Sequence, residues 1–561
     1  MSLLDWIVLA ATIASVVLYG MYRSRQKQTM QSYLLANKQM KWHHICLSVM
    51  ATQASAITFL SAPGQSFTDG MRFVQFYFGL PLAMIVLCLT FVPAFHRLRV
   101  YTAYEFLEKR FDHKTRLLTA FLFLLQRGIS TGISIYAPSI ILSAILNIHI
   151  TYTTLFIGFL VMLYTIYGGT QAVSHSQVLQ MTIIFFGILA AGCLATLMLS
   201  NHANFFDTLK IAGACGRMNV IDFSFDWNNR YNVWSGIIGG FFLQLSYFGT
   251  DQSQVGRYLT AKSIKESRIG LLANGILKIP MQFVILLIGI IVFSFYQFNS
   301  SPLFFNQTIL NEVNTSKAAE LAEMQTTYDY LNKQKGTHAA AYLQAKKSKD
   351  AIAANTAKSA LIDANEKAAT LKNNARALIK KENSTLDTND SNYVFLYFVT
   401  HHFPHGFIGL LIAVIFLASM GSLAAGLNAL ASTTAVDVYI RNYAKKGTDQ
   451  NNLNFSRLAT LGWGLFCIGC ALFASRVGNL IEAVNILGSL FYGTILGIFI
   501  CAFYVKKING TGVFIAALIT ELIVIYCWYY ELLAFLWLNV AGCFSVILFG
   551  LIFSGTRKKQ A

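Results

Sequence analysis

Two stretches of this 561-residue chain carry oxygens and small side chains where a lipid-facing helix would carry leucine and isoleucine. The first is Trp42–Gly64, with the centre Ala51-Thr52-Gln53-Ala54-Ser55-Ala56. It holds no acid, lysine or arginine and is long enough to cross a bilayer. Small residues let backbones approach closely, and polar ones need partners inside protein. Such a helix belongs in the middle of a bundle, and if it unwinds there its bare carbonyls can bind a cation. The other reading is a tight helix–helix seam. The second stretch is Ala418–Asp437. Gly421, Ser422, Ala424, Ala425 and Gly426 allow close contact, while Ser422, Asn428, Ser432, Thr433 and Thr434 supply oxygens. Sodium needs several oxygens at close range, which hydroxyls and freed carbonyls provide. Ordinary small-residue packing is again the alternative.

Charges inside apolar runs are the next candidates. Arg127 lies about eleven residues into its run, roughly 16 Å deep. A charge at that depth marks a functional site by default. It either serves as counter-ion to an anionic substrate, or snorkels or pairs with carbonyls. Lys278 offers the same service nearer the inner end, where snorkelling is easy. Glu521 is mid-run on a helix outside the core and reads as structural. Paired carboxylates, a metal cluster or a nucleophile–base signature do not rise above chance, so an enzyme is disfavoured.

These residues must be positioned by membrane helices. The chain is 55% hydrophobic and 12% charged, the composition of an all-α polytopic membrane protein. The net charge of +18 then belongs to cytoplasmic loops facing anionic lipid rather than to nucleic acid. The nine cysteines are scattered, mostly in apolar segments such as those of Cys88, Cys193, Cys467 and Cys470, with no metal-type CxxC and no disulfide framework. Leu3–Tyr22 is apolar with positive charge after it (Arg23, Arg25, Lys27), the reverse of a cleaved signal peptide. Apolar runs predict about 13 spans. They lie near 3–22, 43–61, 74–95, 117–146, 151–168, 176–199, 232–255, 271–296, 401–436, 456–475, 479–504, 511–529 and 531–553. With the N-terminus outside, the inner loops collect Arg23–Lys41, Arg97–Arg116, Arg257–Arg268, Arg441–Arg457, Lys506-Lys507 and the tail Arg557-Lys558-Lys559. The short outer loops keep only Arg72 and Arg476, so the C-terminus is expected in the cytoplasm. Between about 305 and 390 the composition turns to Ala, Lys, Glu, Gln and Asn. Leu321, Met324, Tyr328 and Leu331 step by three and four, as do Ala368, Leu371, Ala375 and Leu378. Gly336-Thr337 is expected to break the run, giving a helical hairpin outside the membrane. It is either a solvated appendage or a lid or partner-docking element.

Several motifs now carry a resemblance. They are ASAITFLSAPG, YTAYEFLEKRF, TGISIYAPSIILS, IYGGTQAV, FGTDQSQVGRYLTAKSIKESR and the Ser/Ala/Asn segment ending in VDVY. In this order and spacing, over about 40–505, the chain resembles the sodium:solute symporter family, nearest its monocarboxylate and multivitamin branch. The resemblance implies a LeuT-like core of five-plus-five helices in inverted repeats, with solute and ion near the membrane centre. Residues 1–41 would be an extra helix and loop, 42–200 the first repeat and 201–231 an outer loop. Residues 232–504 would be the second repeat and 505–561 two further helices and a basic tail. The first helix of each repeat would be broken.

The resemblance also implies sites. Carbonyls of Ala51, Ala54 and Ala418, with the Ser422 hydroxyl, would hold sodium. The family usually has a second hydroxyl where this chain has Gly421, so a water or carbonyl must replace it. Ala424 and Ala425 stand where some members hold another sodium with hydroxyls, so no such extra site is expected. Gln177 replaces a family acid, which alters the coupling position. Gln53, Tyr77, Gln244, Tyr247, Lys278 and Glu482 match substrate positions, with Tyr247 closing from inside and Glu482 equally suited to the outer rim. The expectation is a Na+-coupled symporter in the plasma (inner) membrane that uses alternating access and needs no cofactor. Its cargo would be a small polar organic solute, an organic anion such as a monocarboxylate or vitamin, or a sugar. Gln177, Gly421 and the hairpin motivate the alternatives, a non-coupled or sensor-like homologue or a proton-coupled symporter.

Overall fold

The computed structural model describes residues 1–23, 29–146, 148–307, 309, 315–382, 388–443, 448–474 and 479–555. Arg25, Lys27, Arg476 and Arg557-Lys558-Lys559 lie outside them. Among the described residues the regular elements are helices, apart from a single extended pairing of Met40 with Ala261. In chain order these are α1 (Leu3–Arg23), α2 (Met30–Leu35), α3 (Trp42–Gln53), α4 (Ala56–Asp69), α5 (Leu80–Leu89) and α6 (Phe91–Leu98). There follow α7 (Glu105–Arg110), α8 (His113–Leu146), α9 (Ile150–Met198), α10 (Phe205–Ala214), α11 (Gly240–Thr250), α12 (Gln252–Tyr258) and α13 (Ile264–Phe298). The remainder are α14 (Thr315–Lys347), α15 (Ala351–Glu382), α16 (Val394–His402), α17 (Phe407–Thr433), α18 (Asp449–Leu472), α19 (Leu480–Tyr504), α20 (Gly510–Tyr529) and α21 (Phe535–Gly555).

Ten of the described helices are long and apolar enough to cross a bilayer, or 11 with α3 and α4 as one broken span. Two features separate this count from the expected 13. The expected spans 151–168 and 176–199 run through the single 49-residue α9. That helix is not straight: Gly169 has φ 57° and ψ −175°, and the Tyr164 hydroxyl lies 2.7 Å from Ser176 Oγ. Twelve residues of straight helix would separate these two by about 18 Å, so the chain folds back at Gly169. The expected span 232–255 is divided into a wide π-type turn, Ser235–Gly239, then α11 and α12.

Two interruptions shape the centre. Between α3 and α4, Ala54 and Ser55 are extended, and the two helices meet at 62°. Between α11 and α12, Asp251 alone is extended (φ −77°, ψ 116°). Helix α17 passes unbroken through the middle, 89% of its most apolar window buried, as its small residues demand. Helix α1 buries only 22% of its window and turns Leu3, Leu4, Ile7 and Leu18 outward. That much apolar surface without a protein partner requires lipid.

The bundle has two chemically different ends. At one, Arg116 bridges Glu108 and Asp437 at 2.6 and 2.7 Å, and Arg110 donates to the carbonyls of Ala502 and Val505 that close α19. Met40 pairs with the 260–262 backbone, and the Met30 amide donates to Asp449. The basic loops therefore collect together. Met1 lies at the other end, beside Phe305, Asn306 and Gln307 near the hairpin.

The hairpin follows its expected register. Leu321, Tyr328, Leu331, Ala368 and Ala375 form one buried cluster, with Met324, Leu371 and Leu378 against it. The expected break at Gly336-Thr337 does not occur: α14 runs straight through it. The reversal comes at 348–350, where Lys349 takes φ 58° and Asp350 Oδ1 accepts from the amides of Ile352 and Ala353 at 3.0 Å. Gly336 instead faces α13, where an added Cβ would lie 3.4 Å from the Gln297 carbonyl. One glycine costs a helix about 1 kcal/mol, too little to end 33 residues held by packing.

Helix α4 is seated without side chains between it and its neighbours. A Cβ on Gly64 would meet the Ser391 carbonyl at 1.9 Å. Gly64→Ala should therefore lower stability by about 1–3 kcal/mol, whereas Gly336→Ala should be neutral or raise it by up to about 1 kcal/mol. Thermal unfolding in detergent checks the contrast; equal losses at both positions would overturn it.

Candidate functional site

A cavity opens where the two interruptions face each other. Gln53, Ser55 and Thr58 line it from the α3–α4 break, and Gln126, Arg127 and Ser130 from α8. Gln244 and Tyr247 enter from α11, Asn485 and Tyr492 from α19, and Tyr77 from the turn before α5. The centre of a water molecule can range over about 100 Å³ here, several times what one bound water needs. Both side-chain polar atoms of Gln244, and Oε1 of Gln53, have no hydrogen-bond partner among the described residues. Buried polar atoms are normally paired, so these amides carry hydrogen-bonding capacity suited to a polar solute.

The cavity is charged by an ion pair. Arg127 Nη1 lies 3.6 Å from Asp251 Oδ2, which also accepts from the Tyr492 hydroxyl at 2.8 Å. The other oxygen, Oδ1, caps α12 by accepting from Ser253 N and Oγ at 2.8 and 2.6 Å. Asp251 is thus both the helix break and the partner of the arginine, and snorkelling does not describe Arg127. The guanidinium is 6.0 Å from the Tyr247 ring, whose hydroxyl accepts from Gln254 at 2.7 Å. Sequence reasoning missed Asp251 as a site residue. Its signal was an acid inside an apolar run, within FGTDQSQ.

Of the substrate positions inferred from sequence, Gln53, Tyr77, Gln244, Tyr247 and Arg127 meet at this cavity. Lys278 and Glu482 are not in its lining. Lys278 is wholly buried behind Tyr77, 5.8 Å from that ring, with no hydrogen-bond partner for Nζ among the described residues. Burial on all sides rules out the snorkelling expected for it. Glu482 sits toward the hairpin end, 2.8 Å from Arg230 Nη1 and 3.3 Å from the Tyr231 hydroxyl. Glu521 is buried on α20, away from the cavity.

Beside the cavity, α3 and α17 form a buried seam. Ala51, Ala54, Ala418 and Ser422 are all 8% exposed or less. Ser422 Oγ donates to the Ser419 carbonyl at 3.1 Å, which leaves its lone pairs free. Gln177 stitches the seam: its Nε2 donates to the Gly421 carbonyl at 3.0 Å and to Thr52 Oγ1 at 3.2 Å, while Ser48 Oγ donates to its Oε1 at 2.5 Å. A carboxylate could not make the two donations. Gly421 has a second neighbour that sequence reasoning missed. An added Cβ would lie 2.6 Å from Gln180 Oε1, a buried oxygen without a hydrogen-bond partner among the described residues. The signal was its place one helical turn after Gln177, on the same face.

Because Asp251 is buried and paired, removing Arg127 alone should be severe. Arg127→Gln is expected to cost about 3–5 kcal/mol, and Arg127→Gln/Asp251→Asn to recover most of it. Melting temperatures of the single and double variants in detergent decide this; additive losses would show the pair to be uncoupled.

The family model described as "Sodium:solute symporter family" matches residues 33–323 and 370–520. The sodium-dependent multivitamin transporter of Oryctolagus cuniculus is 25% identical over 524 residues, 92% of this chain and 69% of that protein. Sodium-coupled monocarboxylate transporter 1 of Xenopus laevis is 23% identical over 527 residues, 92% of this chain and 70% of that protein. A Na+-coupled sialic acid symporter, solved substrate-bound and outward-open, superposes with a TM-score of 0.76 at 20% identity, covering 100% of both chains. The fold is therefore LeuT-like, the protein a multi-pass membrane transporter rather than an enzyme, and Na+ its coupling ion. With the family model matched over most of its length and the architecture shared throughout, the chain belongs to the sodium:solute symporter family.

Proposed function

We propose that this protein imports a small organic anion together with Na+, by alternating access around the cavity between the α3–α4 and α11–α12 breaks. The observation that carries the reading is the Arg127 guanidinium lining that cavity together with the Gln244 amide and Gln53 Oε1, which have no hydrogen-bond partner among the described residues. A carboxylate would take the guanidinium face that Asp251 leaves open, and the amides would bind the rest of the solute. The names of the relatives, which include a monocarboxylate and sialic acid, support an acid as cargo. Asp251 offsets part of the arginine's charge, so the site suits one carboxylate rather than several.

Sodium would be held where α3 stops beside α17, by the carbonyls of Ala51, Ala54 and Ala418 and the Ser422 hydroxyl. Gln180 Oε1 stands at the place of the hydroxyl that Gly421 lacks and would complete the set. The residues fit the ion: Gln180 Oε1 is a buried oxygen in need of a partner, and sodium takes oxygen ligands. Gln177 cannot titrate, which favours sodium over a proton at this position. An ion here would tie α3 to α17 and fix the wall of the cavity. Sodium and solute then assist one another because both favour the same state. Release inward would require the Tyr247–Gln254 bond to open.

The repeats would run over 42–200 and 232–504, flanked by 1–41, 201–231 and 505–561; the matching breaks at Ala54–Ser55 and Asp251 support this division. The end carrying the basic loops would face the cytoplasm of a cell whose plasma (inner) membrane the protein spans, with the N-terminus and hairpin outside.

Thermal unfolding in sodium against choline at equal ionic strength tests the ion site. Sodium at ten times its dissociation constant should stabilise by about 1.4 kcal/mol. Ser422→Ala and Gln180→Leu should each remove that shift, and its survival in both would overturn the assignment. Pyruvate uptake into vesicles should exceed equilibrium only under an inward sodium gradient; accumulation indifferent to sodium would overturn coupling.

A further inference from the structure

The larger cavity lies elsewhere. Between the hairpin and the outer ends of α4 and α13, water centres can range over about 390 Å³, nearly four times the central value of about 100 Å³. Its cations are Arg217, Lys335, Lys372 and Arg376, and its acids Asp69 and Asp390. Arg376 and Asp390 cancel one another at 2.6 Å. That leaves three cations against Asp69, and neither lysine has an acid partner among the described residues. Lys335 is only 4% exposed and stands 5.3 Å over the Tyr328 ring. Lys372 lies 4.5 Å over Phe305 and 5.3 Å over Tyr328, and Arg217 5.3 Å over Phe293.

We propose that this cavity is a second, outer binding site for an organic acid with a flat apolar body. The lysines supply the positive field for the carboxylate, which gains strength away from bulk water. Phe67, Phe293 and Tyr296 supply ring surface for the body. The Tyr296 hydroxyl, buried and without a hydrogen-bond partner among the described residues, adds a donor. Burial pulls Lys335 below the usual lysine range, with Lys372 adding to the effect, so a bound anion would relieve both. Tyr328 and Lys335 fall in 324–369, the stretch between the two matched by the family model. The site is therefore built jointly by this chain's insertion and by stretches that the family model matches, among them Phe67, Phe293, Tyr296 and Lys372. The central cavity is lined by other residues, and the inference does not depend on the sodium-coupled reading.

Calorimetric titration of the full-length protein in detergent, in choline buffer without sodium, tests it with benzoate as the choline salt. Saturable benzoate binding is expected, with the uncharged benzamide at least tenfold weaker. Lys335→Gln/Lys372→Gln should weaken benzoate at least tenfold, and Lys372→Arg should preserve it. Should the double variant fail to fold, Lys372→Gln alone, at a half-exposed position, should still weaken it at least threefold. Absence of benzoate binding, or binding untouched by the lysine substitutions, would overturn the proposal. Because sodium is absent, failure of the ion site cannot produce either result.

Discussion

A backbone that leaves the helix inside a bilayer exposes amides and carbonyls that lipid cannot satisfy, at several kcal/mol each. Much of this structure answers that constraint at two points. At Ala54–Ser55, the Ala54 amide still reaches the Met50 carbonyl and the Thr58 amide the Ser55 carbonyl. Helix α17, whose small residues let it come close, packs against both α3 and α4. At Asp251 the side chain does the work of the missing turn, capping α12 and drawing Arg127 and Tyr492 toward it. The irregular backbone is thus tolerated where protein lines a cavity, and a solute and ion can use the same polar groups.

Charge is arranged by the same logic. The buried Arg127–Asp251 pair is weak evidence for stability, since desolvation offsets much of the attraction. Its value is position: it places a half-compensated cation in the lining of the central cavity. Arg116, Glu108 and Asp437 tie α7, α8 and the end of α17 together where the basic loops gather. Gln177 is the uncharged counterpart, an amide that joins two helices by donating twice and accepting once.

Features set by local composition were legible in the sequence. The small-polar centre of Trp42–Gly64 placed its helix inside the bundle while the family resemblance implied its break, the small residues of Ala418–Asp437 foretold a central helix, and the three-four spacing foretold the hairpin's buried stripe. What escaped depends on partners distant in the chain. Gly336 looked like a turn because its helix-breaking cost is local, while the contact that retains it lies on α13. Lys278 looked free to snorkel because the helices that enclose it are elsewhere in sequence. Asp251 was visible as an acid, but not as the partner of an arginine 124 positions earlier. The number of spans differs from the expected 13 where Gly169 folds one continuous helix back on itself and Asp251 divides another.

The hairpin lies along the end of the bundle opposite the basic loops instead of standing away from it. Near its turn, Leu343 and Leu361 bury against Ile211 of α10, and Lys347 meets Asp207 at 3.6 Å. Near its root, Arg376 holds Asp390, beside the Ser391 carbonyl that seats α4. A 33-residue helix is about 50 Å long and barely stretches along its axis. It therefore acts as a tie-rod between α10 and the mouth of the bundle. Fixed near both its turn and its root, the rod holds α10 and that mouth at a set separation.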